Sequence, residues 1–407
     1  MVKKPPSSKS SKPPPRASKS GAEPSPADPS AVELISAEEV KAQQRLLNVF
    51  SDTFRPILSD DENFATVLQK VKQALYNRDF EAAFGNELFL EVYAARWSPP
   101  RALCYAAVLR RIAGDLGPLL LATTATTATT PSITAATATA TEDDIEDEVD
   151  EVEFGRISPT VETEQPVPSS SSSSTTPTTL KMLAIGGGAA EIVAFAEFLR
   201  GAGDAVSGDL TLLDTGPWGK VIEKLHAGLT TAPPLSKYAS AATKAANAAL
   251  VAPAERLRST FVQQDALQLD SRKLAGLLGR NGPVIVTLLF TLNELYTSGG
   301  IKMTTAFLRN LSSVVPVGSL LLVVDSPGSY SEAAVGKEAK RYPMQWLLDH
   351  TLLQADKLPP EGCRWEKIQS HDSIWFRLSE GLRYPMDLQD MRYQMHLYRA
   401  SSPLSSD

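Results

Sequence analysis

Gly186-Gly187-Gly188, Glu191, Asp214, Asp265-Ala266, Asn293-Glu294 and Asp325 each stand at or just beyond the end of a short apolar run in the second half of this 407-residue chain. Glycine lacks a Cβ, so a ligand can approach its backbone closely. A carboxylate at the end of the next run can accept hydrogen bonds from two neighbouring hydroxyls. Asp214 follows Gly186 by 28 positions, which suits it to the two hydroxyls of a ribose. Asp265 is placed to accept from an adenine amine, with Ala266 beside it. Singly these features are ordinary, since an Asp after a strand often caps a helix. In this order they form a coherent rim for a nucleoside-bearing ligand.

The elements around them read as alternating strands and helices. Lys181–Ile185, Leu210–Asp214, Phe261–Asp265, Pro283–Phe290 and Ser319–Asp325 are expected strands; Ile192–Arg200 and Trp218–Leu225 are expected helices. Such alternation predicts βαβ units and a mostly parallel, Rossmann-like α/β sheet. Ligands in these sheets sit beyond the carboxyl ends of the strands, where the glycines and acids fall. Ile374–Leu378 and Tyr393–Tyr398 read as closing strands, so the sheet should end in an antiparallel pair. The Ala-rich stretch Tyr238–Val251 is expected to form an inserted helix covering the cleft.

Which nucleoside fits? The dinucleotide pattern G-x-G-x-x-G fails because Glu191 stands where its third glycine should be. A carboxylate near a helix start also competes with pyrophosphate for the positive helix end. S-adenosylmethionine has no phosphate and carries a cationic sulfonium, so an acid-rimmed cleft suits it better.

The remaining sequence sets the context. Residues 1–20 hold six basic residues and no acid among Ser and Pro; prolines at 5, 6 and 13–15 forbid an amphipathic targeting helix. Residues 1–30 are therefore expected to be a disordered basic tail. Residues 31–121 read as helical, with Leu46, Leu47, Phe50 and Phe54, then Phe64, Val67, Leu68 and Val71, at helical spacing. Pro99-Pro100 is expected to break the chain there. Arg96, Trp97, Arg101, Tyr105, Arg110 and Arg111 make a locally basic, aromatic region that could touch an RNA backbone or merely be a helix's wet face. Residues 122–179 read as a low-complexity linker, Ala/Thr-rich, then acidic, then Ser/Thr-rich. Segment 142–164 carries 11 acids and one arginine, so the net charge of −7 leaves the rest of the chain at +3. The folded part does not advertise nucleic-acid binding by charge.

Cys104 and Cys363 have no partner motif, which argues against a disulfide framework or a Cys-based zinc site. The four histidines show no metal spacing, so no metal is expected, and His350 and His371 read as structural. No apolar run approaches the roughly 18 residues of a membrane span, and no secretory signal is expected. Trp346, Trp365 and Trp375 read as core.

Three stretches carry a specific likeness: Phe290-Thr-Leu-Asn-Glu-Leu-Tyr296, Val323-Val-Asp-Ser-Pro-Gly-Ser-Tyr-Ser331 and Lys340-Arg-Tyr-Pro-Met-Gln-Trp-Leu-Leu-Asp-His350. The strand and glycine spacing resembles class I S-adenosylmethionine-dependent methyltransferases. These stretches resemble the fungal 25S rRNA (uridine-N3)-methyltransferase family, over residues 180–400 and, loosely, the N-terminal helices. Two departures stand out. Ala184 replaces the acid often found two residues before the first glycine, and Ala190 replaces the third glycine, with Glu191 a possible compensation.

The resemblance implies S-adenosyl-L-methionine as cofactor, large-subunit rRNA or a pre-ribosomal particle as partner, a monomer, no membrane, and nuclear or nucleolar residence with cytoplasm as the alternative. It implies Gly186, Gly187, Gly188, Glu191, Asp214, Asp265 and Ala266 around the cofactor. Asn293 would orient a uracil carbonyl and Glu294 would take the N3 proton, although Glu294 equally fits a favourable charge at a helix start. Asp325, with Ser326 and Tyr330, would form a second wall; Tyr330 would stack on the base and Arg341 would hold phosphate. A protein or small-molecule substrate, or a non-catalytic ribosome-assembly role for the same fold, stays open at this point.

Overall fold

In the computed structural model, residues 36–128, 178–279, 282–328, 330–335, 338–354 and 362–402 are described, without the side chains of 121–128 and 330–341. The expected basic tail, the acidic run and the Ser/Thr-rich segment before residue 178 lie outside them.

Six helices come first: α1 (Ala37–Thr53), α2 (Arg55–Leu58), α3 (Asp61–Tyr76), α4 (Phe80–Phe84), α5 (Glu87–Arg111) and α6 (Ala113–Ala128). Their starts are written in side chains that accept orphan N–H groups: Ser36 from Glu39, Asp60 from Asn63, Asp79 from Ala82, and Asn86 from Leu88 and Phe89. Two expectations fail here. Pro99-Pro100 does not break the chain, because α5 runs through both prolines, which are buried along with Ser98. Proline 99 removes the donor for the Ala95 carbonyl, and the Tyr384 hydroxyl donates to that carbonyl instead at 2.6 Å. In addition, α6 extends seven residues past Leu121 into the Ala/Thr tract, consistent with the high helix propensity of alanine.

The sheet follows: β1 (Thr178–Ile185), α7 (Ala189–Ala202), β2 (Val206–Asp214), α8 (Gly219–Thr230), α9 (Ala241–Ala245), β3 (Leu257–Gln263), α10 (Ser271–Leu278), β4 (Ile285–Leu289), α11 (Leu292–Val314) and β5 (Leu320–Asp325). A hairpin, β6 (Tyr330–Val335) with β7 (Glu338–Pro343), leads through α12 (Met344–Leu352) to β8 (Arg364–Phe376) and β9 (Met391–Ser401). The seven-stranded order is β3-β2-β1-β4-β5-β9-β8, and β9 alone runs against its neighbours β5 and β8. Every residue of β4 and β5 is buried, as expected for strands covered on both faces.

One face of the sheet packs on α10, α11 and α12; the other packs on α7 and α8 and also on α1 and α5. A single apolar cluster therefore joins Leu47, Phe50, Leu103 and Leu109 of the N-terminal helices to Phe195, Leu212 and Leu322 of the sheet layer.

Three further expectations are corrected. The Ala-rich stretch yields only the five-residue, exposed α9, in the connection from α8 to β3. That connection lies at the amino ends of the parallel strands, so it does not cover the cleft. Strand β3 stops at Gln263, and Asp265 lies beyond it. Of the three tryptophans read as core, only Trp365 is buried, donating to the Ser312 hydroxyl at 2.8 Å. Trp346 is 49% exposed because Met344, Leu347 and Leu348 take the inner face of α12. Trp375 is 54% exposed because its neighbours Ile374 and Phe376 point to the opposite, α5-side core.

Candidate functional site

The strand order reverses between β1 and β4, and the crevice at such a point is where ligands bind in open α/β sheets. A cavity of about 700 Å³ opens there, within the range of small-molecule sites.

Its floor is the turn after β1. Gly186 has φ +69°, and a Cβ on it would stand 2.3 Å from the Thr291 Oγ1. A Cβ on Gly187 would stand 2.6 Å from that of Ala184, and one on Gly188 would meet the Trp218 ring at 3.2 Å. The turn is thus pressed between the loop after β4 and α8, and it starts α7. The Glu191 carboxylate reaches back to accept from the Gly188 N–H at 2.8 Å. Burial raises the Glu191 carboxyl to about 7, against the pull of that N–H and of Arg101.

Asp214 ends β2 and accepts from the Gly216 N–H at 2.7 Å. Burial raises it to about 6, while bonds from Gly216, Trp218 and Thr215 oppose the shift. Asp265 starts a short 3₁₀ turn, accepting from the Leu267 N–H at 2.9 Å. Of the residues expected around a cofactor, Gly186, Gly188, Glu191, Asp214, Asp265 and Ala266 line the cavity. Gly187 does not; it shapes the turn.

The loop after β4 carries Phe290 at φ +58°, a costly conformation for a bulky residue and one that tends to mark functional turns. Glu294 lines the cavity from the first turn of α11. Partial burial raises its carboxyl above the usual range, and Arg78 opposes the shift. Asn293 and Asp325 do not line it. Both oxygens of the buried Asp325 accept backbone donors, the Asn293 N–H at 3.0 Å and the Ser326 N–H at 2.8 Å. The Asn293 Oδ1 is buried without a partner among the described residues. Tyr330 and Arg341 fall on the β6–β7 hairpin, where side chains are outside the description. His350 stacks on Trp346, with centroids 4.9 Å apart, and neither it nor His371 lines the cavity. Among the described residues no cluster of His, Cys, Asp or Glu is placed to hold a metal, and no helix is long and apolar enough to cross a membrane.

The roof is an element that the sequence pattern does not predict. It is the N-terminal helices, with Tyr93, Trp97, Arg101 and Tyr105 spaced by four along one stripe of α5. Tyr93 packs edge-on against Phe84 at 5.0 Å and Trp218 at 5.9 Å, and contacts Trp97 at 5.1 Å. The signal lay in the aromatic and basic residues already noted on this segment. A helix broken at Pro99 loses the phase that carries position 93 to position 105. Arg110 falls off the stripe and pairs with Glu39.

Two glycines in the cavity floor, two carboxylates with pKa values raised by burial and an aromatic roof suit a cationic nucleoside better than an anionic one. A bound positive charge would favour the ionised form of both acids. This is the site of a nucleoside-dependent class I methyltransferase fold. The chain matches, over residues 50–399, the model of a family described as SAM-dependent methyltransferase, and it belongs to that family.

Among its relatives is the 25S rRNA (uridine(2843)-N(3))-methyltransferase of Saccharomyces cerevisiae, 28% identical in an alignment of 380 positions that covers 87% of this chain and 85% of that one. Solved structures similar to it include the 16S rRNA (adenine(1408)-N(1))-methyltransferase of Catenulisporales acidiphilia, 12% identical over 56% of this chain and 87% of that one, TM-score 0.30. An O-methyltransferase family protein of Burkholderia thailandensis is 14% identical over 55% of this chain and 51% of that one, TM-score 0.28.

Proposed function

We propose that the protein methylates N3 of a uridine in large-subunit rRNA, acting in the nucleus or nucleolus. The observation that carries this reading is the match to the yeast uridine-N3 enzyme over 87% of this chain and 85% of that one, beside a family match that begins at residue 50, within the N-terminal helices. Those helices supply the roof of the cavity, so the family match takes in both roof and floor.

The cofactor end of the cavity is assigned to Gly186, Gly188, Glu191, Asp214, Asp265 and Ala266, with Gly187 holding the turn. When bound, S-adenosylmethionine supplies an electrophilic methyl carbon on a cationic sulfur and leaves as a neutral thioether. The chain's task is to present uridine N3 with its lone pair free. N3 carries a proton and is normally paired, so the base must be unpaired or flipped out and the proton removed.

Glu294, at the rim with a raised pKa, is suited to accept that proton. Asn293, which does not line the cavity, is better suited to setting the start of α11 than to holding a uracil carbonyl. Asp325 acts through it, fixing the start of α11 by holding the Asn293 N–H, and is a positioning residue. Tyr330 and Arg341, on the hairpin after β5, are assigned to the base and to RNA phosphate.

Nucleoside mass spectrometry of large-subunit rRNA, from cells with and without the protein, tests the reading. Loss of 3-methyluridine, restored by the wild type and not by Asp214→Ala, is expected. An unchanged level would overturn the substrate assignment.

A further inference from the structure

Arg101 has an unusual place for a cation. It sits half-buried in the cavity wall, flanked on its own stripe of α5 by Trp97 and Tyr105. Its guanidinium donates to the Tyr93 hydroxyl and lies 5.4 Å from the centre of that ring. No carboxylate lies within ion-pair distance of it among the described residues, whereas the buried Arg256 is paired with Asp204. A guanidinium has five N–H donors and stays charged at all relevant pH. The surroundings of Arg101 are phenols and the Glu191 carboxyl, whose ionisation burial disfavours, so a negative charge arriving from elsewhere would be favoured beside it.

What that charge would be follows from the surroundings. The charged and titratable groups facing Arg101 are Tyr93 and Tyr105 on α5 and Glu191 on α7. Glu191 and Asp214 crowd the same cavity, which disfavours a compact, doubly coordinated phosphate. A flat, delocalised anion is different. Beside Arg101, the Tyr105 ring stacks on Phe290 at 6.2 Å and 28°, and Phe290 leads directly to the segment bearing Asn293 and Glu294. Flat apolar surface, a forked cation and a rim carboxylate all line this one cavity.

We propose that Arg101 donates to one of the uracil carbonyl oxygens and stabilises the anion formed when N3 loses its proton. The inference rests on the uridine-N3 reading above. The proton leaves N3 for Glu294 or water, the electron pair stays on the ring, and its charge spreads over both carbonyl oxygens. Arginine there lowers the N3 pKa inside the site while leaving the N3 lone pair open to the methyl carbon. Arg101 is then a catalytic residue supplied by the N-terminal helices.

The test compares wild type, Arg101→Lys and Arg101→Met on two transcripts of the target rRNA segment, one with uridine and one with 5-fluorouridine, whose N3 is more acidic. For Arg101→Met on uridine the rate at pH 7 should fall about 100-fold, the size of losing one donor to a developing oxyanion. Its alkaline rise should move to higher pH, 5-fluorouridine should recover most of the loss, and Arg101→Lys should lie between. Binding of S-adenosylmethionine by calorimetry should hold within about threefold. A second readout needs no turnover: the ultraviolet band of the 5-fluorouridine anion should appear at lower pH on wild-type protein than on Arg101→Met.

Equal deficits on both transcripts with an unmoved pH profile would overturn the proposal and leave Arg101 a phosphate or packing residue. Wild-type protein that makes no 3-methyluridine on either transcript would instead overturn the reading on which it rests, before any variant is considered.

Discussion

The Tyr384 hydroxyl donates to the Ala95 carbonyl at 2.6 Å, across 289 residues of sequence, at the one acceptor that Pro99 leaves without its helical donor. The loop between β8 and β9 thereby completes the hydrogen bonding of the helix that roofs the cavity. Burial raises the Tyr384 phenol above its ordinary value, so it remains a donor at any pH of interest. Tyr384→Phe keeps the ring and orphans the carbonyl. The expected loss is about 1–2 kcal/mol in chemical denaturation. Because α5 carries Tyr93, Trp97 and Arg101, methyl-transfer activity should fall with only a small change in cofactor affinity. An unchanged unfolding midpoint would show that water replaces the phenol.

How much of this was legible in the sequence? The sheet was, because βαβ alternation is a local signal and the buried runs Ile285–Leu289 and Leu320–Asp325 have no other reading. The floor of the cavity was too, because strand ends fix where glycines and acids go. The roof was not. Its stripe depends on a helix continuing through Pro99-Pro100, and what permits that is a tyrosine almost 300 residues away. The exposed tryptophans were misread for a similar reason. Trp375 sits between Arg377 and Arg392, whose guanidinium groups lie 5.0 and 5.5 Å from its ring, and strand phase there is altered by a bulge between His371 and Ile374.

Glu191 and Asp214 make the ligand-free protein sensitive to pH. Burial raises them from ordinary values of 4.5 and 3.8 to about 7 and about 6. The folded state therefore binds more protons than the unfolded chain between those limits, and stability should fall as pH rises from about 4 to 7. A cationic cofactor reverses the preference by favouring the ionised acids. The rise in melting temperature on adding S-adenosylmethionine should thus be larger at pH 8 than at pH 5. Asp214→Asn should flatten that difference and weaken binding roughly 10-fold or more, the scale of one charged hydrogen bond. A ligand shift independent of pH would remove the two acids from the cofactor site.

The glycine turn separates strain from contact. Gly186→Ala meets both a left-handed backbone and Thr291 at 2.3 Å, so it should lose cofactor binding by more than 100-fold or fail to fold. Gly188→Ala meets only the Trp218 ring at 3.2 Å and should have a smaller effect. Gly203 is the control, with φ +84° and no atom within 4 Å of an added Cβ. Gly203→Ala should cost about 1 kcal/mol of stability from strain alone, with the same affinity as wild type by calorimetry. Equal loss of affinity at positions 203 and 186 would mean the turn matters only for folding.

Glu294 has two readings, a proton acceptor or a favourable charge in the first turn of α11, and they predict different data. A helix-end charge is worth about 0.3–1 kcal/mol of stability and nothing in the chemical step. A general base is worth about 10²- to 10⁴-fold in rate. Glu294→Gln keeps the shape and removes the charge. If Glu294 takes the N3 proton, the rate at pH 7 should fall by at least 100-fold with stability and cofactor affinity little changed. The acid limb of the wild-type profile, set above the usual carboxylate range by burial, should disappear in the variant. Residual activity should then climb with pH as hydroxide removes the proton unaided. Glu294→Asp, which retracts the carboxylate by one methylene, should retain part of the rate and keep the limb. A full rate in Glu294→Gln with slightly lower stability would assign the residue to the helix end and leave N3 to lose its proton to water, with Arg101 alone holding the anion.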